Sequence, residues 1–317
     1  MVRVMPPRGL FVGLATLDLV QRVARRPGVN EKVVAQRSDT AAGGPAAAAA
    51  VTFGALSGHS VLLSALGPGP VGRLVVGELD HAGVHIVDTW AAGADLSISA
   101  ITVLDETGER SVVSRNAEDM MAVVPGDLPA LTQDADVVLL DGHHPDLAVA
   151  AAYAAQTAGV PVVLDCGSPK PVYAELVPLA DIVVCSASFV AHRPNGFNAD
   201  GFDPDGFDAV AAALLAGGAR LVAMTAGAAP VRWQTREAVG AVEVPPVTVR
   251  DTLGAGDVLH GAVAFARARG VTDPERSLSF GVAVASLRVQ HVGPRAWRSD
   301  QRLHALVTAR LGADPGG

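Results

Sequence analysis

The sequence predicts an α/β fold with a mostly parallel central sheet that is covered by helices on both faces. Two observations support this prediction. Short apolar runs without alternation, typical of fully buried strands, recur along the chain. Stretches of helical length separate these runs, and strands that alternate with helices indicate a parallel sheet between two helical layers. With 317 residues, the chain can form one large domain or two domains, each with a substantial core.

The predicted elements follow one another along the chain. Predicted strands are 10–13, 60–66, 135–140, 160–164, 181–185 and 220–224, and predicted helices are 45–57, 71–82, 146–158, 205–216, 258–269 and 299–311. Pro45 suits the first position of its helix, where the missing N–H has no intrahelical partner. Ligands of such sheets lie beyond the C-terminal ends of the strands, which is where Asp141, Asp165, Ser186 and Thr225 fall.

One region departs from this alternation. Residues 97–104 and 110–114 flank the turn-forming stretch 105–109 and are predicted to pair as a β-hairpin. Residues 29–37 are predicted to form another strand near it. From the residues alone, the simplest interpretation is an edge hairpin without a gating role. The polar segment 199–206 is predicted to be a surface loop.

Composition excludes several classes of function. The net charge of −8 argues against a nucleic-acid-binding or anionic-membrane surface. No apolar run approaches the length of a membrane span, and the run at 10–15 is too short for a signal peptide. The two cysteines, Cys166 and Cys185, fit buried thiols in a reducing cytoplasm. Neither Lys32 nor Lys170 follows a glycine, which excludes a Walker A loop.

The most informative stretch is Asp-Thr-Leu-Gly-Ala-Gly-Asp at 251–257. It lies between a predicted strand at 247–250 and the predicted helix at 258–269, so its glycines fall where an extended chain turns into a helix. Free amides at a helix N-terminus attract anions, and Asp257 would place a carboxylate beside them. That combination suits a base that takes a proton from a hydroxyl during phosphoryl transfer. From the local pattern alone, a plain strand-to-helix turn is an equal alternative.

The chain resembles the ribokinase-like carbohydrate kinases, the PfkB family, from about residue 10 to residue 293. The stretch 251–261 is similar to the C-terminal signature of that family, and the Gly-Gly-Pro and alanines at 43–50 are similar to part of its N-terminal signature. Other matches in family order are Gly13, Asp18, Gly67, Gly72, Gly108-Glu-Arg110 and Thr225-Ala-Gly227. Gly-Gly-Pro-Ala-Ala and Gly-Asp-Val-Leu-His-Gly most resemble the sulfofructose kinase branch.

The resemblance implies a ribokinase-like α/β/α domain over 1–317, with a small β lid formed by about 29–40 and 90–116. It implies ATP and Mg²⁺ as cofactors, transfer to a primary hydroxyl of a sugar, with a ketose favoured, and a possible homodimer through the lid. The implied catalytic residues are Asp257 as the base with Gly254, Ala255 and Gly256 around the phosphoryl group. The implied sugar-binding residues are Asp18, Gly43 and Gly44, and the implied nucleotide-binding residues are Ser186, Thr225, Gly227, Gly254 and Gly256.

Three departures from the family pattern bear on function. Ala48 stands where the family often has a substrate-binding Asn, and Gly69 stands where it often has an Asp. Ser186 and Phe189 stand where the family commonly has the Asn and Glu that organise Mg²⁺ and phosphates. We therefore expect no metal-binding residue in this chain and expect Mg²⁺ to arrive bound to ATP.

The identity of the acceptor stays open in the sequence. Five residues, Arg110, Arg115, Asn116, His143 and His144, lie on segments that could face the far end of a sugar. Of these, the two arginines and the two histidines would favour an anionic acceptor if two or more of them converge. The alternative is that these side chains are solvated or cap a loop. A nucleoside kinase of the same fold is a second possibility, although only 4% of the residues are aromatic. A catalytically weak sugar- or nucleotide-binding protein is a third.

Overall fold

The computed structural model describes residues 5–191 and 206–312. The predicted loop at 199–206 lies outside these ranges except for Gly206. The strands are β1 Arg8–Val12, β2 Thr16–Val23, β3 Arg37–Gly43, β4 His59–Ser64, β5 Val84–Asp88, β6 Trp90–Gly93, β7 Ile98–Leu104, β8 Arg110–Val113, β9 Met120–Ala122, β10 Val137–Leu140, β11 Val162–Cys166, β12 Ile182–Ser186, β13 Leu221–Ala226, β14 Ala229–Gln234 and β15 Val239–Val242. The helices are α1 Pro45–Ala55, α2 Pro70–His81, α3 Leu128–Gln133, α4 Pro145–Ala158, α5 Tyr173–Leu176, α6 Ala187–Ala191, α7 Phe207–Ala216, α8 Ala255–Ala268, α9 Pro274–Arg288 and α10 Arg302–Leu311, with 3₁₀ turns at Val177–Leu179 and Ala296–Ser299.

The central sheet is mostly parallel, as the sequence predicts. In the described ranges it has nine strands in the order β15-β14-β13-β12-β11-β10-β1-β4-β5. Neighbours from β13 to β5 pair in parallel, whereas β14 and β15 add antiparallel edge strands. Because β1 lies between β10 and β4, the strand order changes direction at β1. Crevices at such a change of direction are where open α/β sheets bind ligands.

Helices cover both faces of this sheet because its strands are apolar on both sides. Along β1, Phe11 packs into one core with residues of α1, α8 and α9. Its neighbours Leu10 and Val12 pack into the other core with residues of α4, α5 and α7. Each fully buried side chain of this size contributes about 1.5–3 kcal/mol. The two cores together fix the sheet edge on which functional side chains lie.

A small second sheet lies apart from the central one, in the order β3-β2-β7-β8. The predicted hairpin is present as β7 and β8, but two other expectations are wrong. Residues 29–36 are not in a strand; the strand begins at Arg37 and pairs antiparallel with β2, which the sequence did not predict. Residues 247–250 have no strand pairing and run as an extended loop instead. In both cases tertiary pairing outweighs local β-propensity.

A two-stranded ribbon of β6 and β9 completes the β structure of the described ranges. Within those same ranges, every helix is too short or too polar to cross a bilayer.

Candidate active site

The C-terminal edge of the central sheet is organised by Asp141, which follows β10. Its buried carboxylate accepts hydrogen bonds from the amides of Leu14 at 2.8 Å, Ala46 at 3.2 Å and His143 at 2.9 Å. These amides belong to the loop after β1, the first turn of α1 and the loop before α4. Asp141 is therefore a structural residue that ties three segments of the candidate site together.

An anion hole opens where α8 begins. Gly254 is the N-cap of this helix in the left-handed conformation, with φ of 70°, which glycine adopts without steric cost. The Ala255 amide donates to the Thr252 carbonyl at 3.3 Å, so it is engaged within the turn, contrary to the role expected for it. The amides of Gly254, Gly256 and Asp257 find no acceptor within the described ranges. We call these three amides the anion hole, since unpaired amides at a helix N-terminus attract anions.

The loop before the anion hole is held by Asp251. Its carboxylate accepts from the amides of Leu253 at 2.9 Å and Gly293 at 3.0 Å. The guanidinium of Arg288 lies 3.5 Å from the same carboxylate and also donates to the Asp251 carbonyl at 3.4 Å and the His291 carbonyl at 3.0 Å. Both side chains are buried, so this ion pair fixes the loop from within the protein.

The small sheet contacts the same loop from the opposite side. The amide and hydroxyl of Thr252 donate to the Gly108 carbonyl at 3.1 Å and 2.9 Å. Arg22 on β2 donates to the Arg250 carbonyl at 2.6 Å. Arg110 on β8 donates to the Thr252 carbonyl at 3.2 Å, so Arg110 lies at the anion-hole loop and not at the far end of the pocket.

Asp257 lies half-buried in the first turn of α8. Burial and the repulsion of Asp165 raise the pKa of Asp257 to about 6, although the positive charges of His260 and Arg110 oppose the rise. At neutral pH the carboxylate is mostly ionised and able to accept a proton. A base whose pKa lies near the working pH is also the most effective kind.

Asp18 lies on β2, facing the end of β3. A side chain at Gly43 would meet the Asp18 carboxylate at about 2.1 Å, so only glycine leaves room there. Burial raises the pKa of Asp18, while hydrogen bonds from Thr16 and Ser99 oppose the rise. The hydroxyl of Thr16 donates to Asp18 Oδ1 at 2.8 Å, which orients the carboxylate and leaves lone pairs for a ligand.

The structure brings most of the expected acceptor and base residues into one pocket. It is lined by residues from β2, the β3–α1 turn, α8 and the segment after α9, namely Asp18, Gly43, Gly44, Ala48, Gly254, Asp257, Arg288 and Arg295. Ala48 therefore does lie at the pocket wall. Arg295 donates to Glu78 at 2.7 Å, and Glu78 accepts from the Ala42 amide at 3.0 Å, which anchors the β3–α1 turn.

Asn116 and His143 lie elsewhere. They line a larger, open cavity together with Lys170, whose ammonium donates to the Tyr173 hydroxyl at 3.0 Å. Burial lowers the pKa of His143, so this histidine is neutral at pH 7. Arg115 is exposed and pairs with Asp119 at 2.5 Å. The side chains expected near the far end of the sugar therefore do not converge as a set of free cations.

The expected nucleotide residues lie at the ends of β12 and β13. Ser186 donates to the Gly167 carbonyl at 2.7 Å, and Thr225 lies opposite Ser186 in the sheet. Gly227 follows in the left-handed conformation. Phe189 is buried and its ring packs 6.0 Å from that of Tyr173. The aromatic ring that replaces the family Glu thus fills the core.

Two buried residues beside Asp257 were not identified as functional from the sequence. Asp165, like Asp141, was predicted only to lie at the C-terminal end of a strand, and no function was assigned to it. His260 lies one helical turn after Asp257, and that spacing is the signal that could have revealed it. One ligand atom from each of Asp165, Asp257 and His260 lies within 4.8 Å of the others.

These three residues fit Mg²⁺ poorly. Mg²⁺ prefers an octahedron of oxygen ligands that includes several waters, whereas His260 contributes a nitrogen and already contacts Asp165 at 2.9 Å. The unpaired amides of the anion hole, in contrast, fit the phosphates of a nucleotide.

Comparisons with known proteins agree with this geometry. A family model described as pfkB family carbohydrate kinase matches residues 9–301. The chain is 28% identical over 294 residues to ribokinase from Arabidopsis thaliana, which covers 90% of this chain and 77% of that protein. It is 27% identical to ribokinase from Bacillus subtilis, with 89% and 92% covered. The structure of Arabidopsis thaliana ribokinase complexed with ribose and ATP is similar, with a TM-score of 0.76, 27% identity and coverage of 96% of this chain and 99% of that chain.

Proposed function

Because the chain belongs to the pfkB family of carbohydrate kinases, we propose that it transfers the γ-phosphoryl group of ATP to a primary hydroxyl of a sugar, with a ketose as the favoured acceptor. The observation that carries this proposal is the single pocket shared by Asp18, Asp257 and the N-terminus of α8. A hydroxyl held there has a carboxylate on one side and anion-binding amides on the other.

Each group in this pocket has a separate task. Asp18 binds two neighbouring hydroxyls of the sugar, which places the primary hydroxyl beside Asp257. Asp257 takes the hydroxyl proton as the oxygen bonds to phosphorus and the bond to ADP breaks. The anion hole stabilises the negative charge on the transferred phosphoryl oxygens.

The nucleotide is expected along the ends of β12 and β13, at Ser186, Thr225 and Gly227, with its phosphates directed to Gly254 and Gly256. Mg²⁺, when bound, neutralises phosphate charge. We propose that it enters with ATP and has few direct protein ligands, because Phe189 is part of the core and Ser186 is engaged with the Gly167 carbonyl. Titration of free Mg²⁺ at saturating MgATP should then give little additional activity. Strong activation with its own dissociation constant would contradict this assignment.

A neutral acceptor has more support than an anionic one. Burial lowers the pKa of both His143 and His144, and Arg115 is already paired with Asp119. The fourth group that would favour an anionic acceptor, Arg110, donates to the Thr252 carbonyl. All four groups are therefore neutral or engaged. Lys170 is the cation that does face the larger cavity, and it is the residue to replace if an anionic acceptor proves better.

A panel assay that couples ADP release to a spectroscopic signal tests the proposed reaction. The panel contains neutral ketoses, ribose, phosphate and sulfonate derivatives of the ketoses, and nucleosides. We expect kcat/KM to be highest for a neutral ketose and to depend little on salt. A nucleoside as the best acceptor would identify a nucleoside kinase. Binding of sugar and ATP without any turnover would identify a binding protein.

Two properties of the whole protein belong to the same proposal. A homodimer could form through the small sheet, whose outer strands are β3 and β8 and whose residues Val112 and Val113 are exposed. Light scattering of the protein and of a Val113→Lys variant would test this. A cytoplasmic location fits the two free, buried cysteines, and fractionation of the source cells would test it.

A further inference from the structure

A buried histidine–aspartate pair lies beside the candidate base. His260 is on α8, one helical turn after Asp257, and Asp165 is at the end of β11. The Nδ1 atom of His260 lies 2.9 Å from Oδ2 of Asp165, and the two side chains are only 6% and 3% exposed. The proposed transfer of the phosphoryl group assigns no role to this pair.

The pair is close enough to act on Asp257. One ligand atom from each of Asp165, His260 and Asp257 lies within 4.8 Å of the other two. If His260 were neutral, two carboxylates would carry two like charges in one buried cluster, which strongly favours protonation of one of them. If His260 is an imidazolium, the cluster carries a single net negative charge and both carboxylates can stay ionised.

The surroundings of His260 favour the imidazolium. Burial alone lowers its pKa, but the attraction of Asp165, then that of Asp257, and the neighbouring Val184 carbonyl together outweigh burial, so the pKa of His260 is raised. Burial likewise raises the pKa of Asp165, and attraction to His260 outweighs it, so that pKa is lowered. Neither ring nitrogen makes a well-aligned hydrogen bond within the described ranges, so the contact is mainly an attraction between charges.

Other titratable groups also face this cluster from neighbouring elements. Lys170 and His143 act on Asp165 from the loops after β11 and β10. Arg110 and Asp18 act on Asp257 from the small sheet. His260 itself lies within 4.8 Å of both carboxylates of the cluster and contacts Asp165 at 2.9 Å.

We propose that Asp165 and His260 are a positioning pair, in which a buried imidazolium places a positive charge beside the Asp257 carboxylate during phosphoryl transfer. Asp165 keeps His260 protonated and in place. His260 in turn keeps Asp257 ionised when the phosphates of ATP bring further negative charge to the anion hole. This role rests on the proposed function of Asp257 as the base.

A direct titration of Asp257 tests the pair without any acceptor. The protein is labelled with ¹³C at the aspartate carboxyl carbons, and the Asp257 signal is identified by its loss in an Asp257→Asn variant. In a His260→Gln variant the midpoint of this signal should rise by about one pH unit, a tenfold change in proton affinity. The double variant Asp165→Asn/His260→Gln removes one charge of each sign, so its midpoint should return towards that of the wild type.

The chain offers a matched control in His291. Its Nε2 atom lies 2.9 Å from Oδ2 of Asp300, the same distance as in the pair of His260. The pair of His291 is more exposed, and Asp257 is not one of its partners. A His291→Gln variant should leave the Asp257 midpoint unchanged. An unchanged midpoint in a folded His260→Gln variant would overturn the proposal, and so would a transition-metal ion bound at Asp165 and His260 in the purified protein.

Activity then tests the catalytic role separately. With the best acceptor of the panel, the acid limb of kcat against pH should move with the Asp257 midpoint in His260→Gln, whereas kcat above pH 8 should change little. A midpoint that moves without the acid limb would overturn the role in transfer. If the wild type phosphorylates no acceptor, the proposed function fails, but the titration still decides whether the pair controls Asp257.

Discussion

Two buried ion pairs flank the start of α8, and they differ in whether their cation can lose its proton. Arg288 pairs with Asp251 at 3.5 Å, with side chains 1% and 2% exposed, and His260 pairs with Asp165 at 2.9 Å. A guanidinium keeps its charge at every physiological pH, whereas an imidazole titrates close to neutrality. The cation of the first pair therefore holds the anion-hole loop across the physiological pH range, and the second pair sets the charge beside the base in a pH-dependent way.

We expect the largest effect from replacing Asp257, the candidate base at the start of α8. Asp257→Asn keeps the shape of the side chain but cannot accept the proton, so kcat should fall by about 10²–10⁴-fold. Binding of ATP and thermal stability should remain close to wild type. Near-normal turnover on the best acceptor would show that neither pair supports catalysis through Asp257.

Arg288→Met tests the pair that does not titrate. It leaves the Asp251 carboxylate buried without its cation, which typically costs about 3–5 kcal/mol of unfolding free energy. Urea unfolding should give the same loss at pH 6 and pH 8, because a guanidinium keeps its charge throughout that range. The double variant Asp251→Asn/Arg288→Met removes both charges and should lose less. If the loss of unfolding free energy in Arg288→Met depended on pH, the proposed difference between the two ion pairs would be wrong.

Asp18→Ala tests a residue of β2 that belongs to neither ion pair. The carboxylate is expected to bind two sugar hydroxyls, so calorimetry should show sugar binding weakened by about 1.5–3 kcal/mol, the range for hydrogen bonds to a charged group. ATP affinity should hardly change. Equal losses for sugar and ATP would mean that Asp18 is structural and that the pocket has been distorted.

The smallest expected effect is the pH dependence of the titrating pair. The pKa of His260 is raised in the folded state, so its stabilisation is complete below the unfolded value of about 6.5 and is lost as pH rises through the folded value. The pKa of Asp165 is lowered, so its share is lost only as pH falls through its folded value in acid. His260→Gln should therefore cost more unfolding free energy at pH 6 than at pH 9, by about 1.4 kcal/mol for each unit by which the pKa is raised. A cost that is equal at both pH values would mean that His260 is neutral.

The acid limb of activity belongs to the same comparison. Since the pKa of Asp257 is raised to about 6, kcat should fall about tenfold for each pH unit below that value. In Arg288→Met the limb should stay in place, because Arg288 acts on Asp251. In His260→Gln it should move upwards.

The central sheet could be predicted because its strands are buried on both faces. Continuous apolar runs such as 137–140 and 182–185 carry that signal within a few neighbouring residues. The small sheet could not be predicted to the same degree. The strand at Arg37–Gly43 contains Ser, Asp, Thr and alanines and is a strand because β2 pairs with it. The β-branched residues of 247–250 have no partner and so form no strand.

The candidate site was likewise only partly predictable from local sequence. Asp257 and Gly254 were predictable because one short stretch of sequence contains both the turn and the base. The partner of His260 is Asp165, on a different strand of the sheet, and the partner of Arg288 is Asp251. No local pattern relates such residues, because the fold alone brings them together.

Thr252 links the tip of the β7–β8 hairpin to the turn before the anion hole. Thr252 donates twice to the Gly108 carbonyl, so the hairpin tip and the turn that leads into the anion hole are joined at one residue. Any displacement of the hairpin tip therefore breaks two hydrogen bonds of this turn and removes support from the amides of the anion hole. We expect these amides to be held in line for a phosphoryl group only while the hairpin tip is in place, so that the same contact would limit transfer of the phosphoryl group to water.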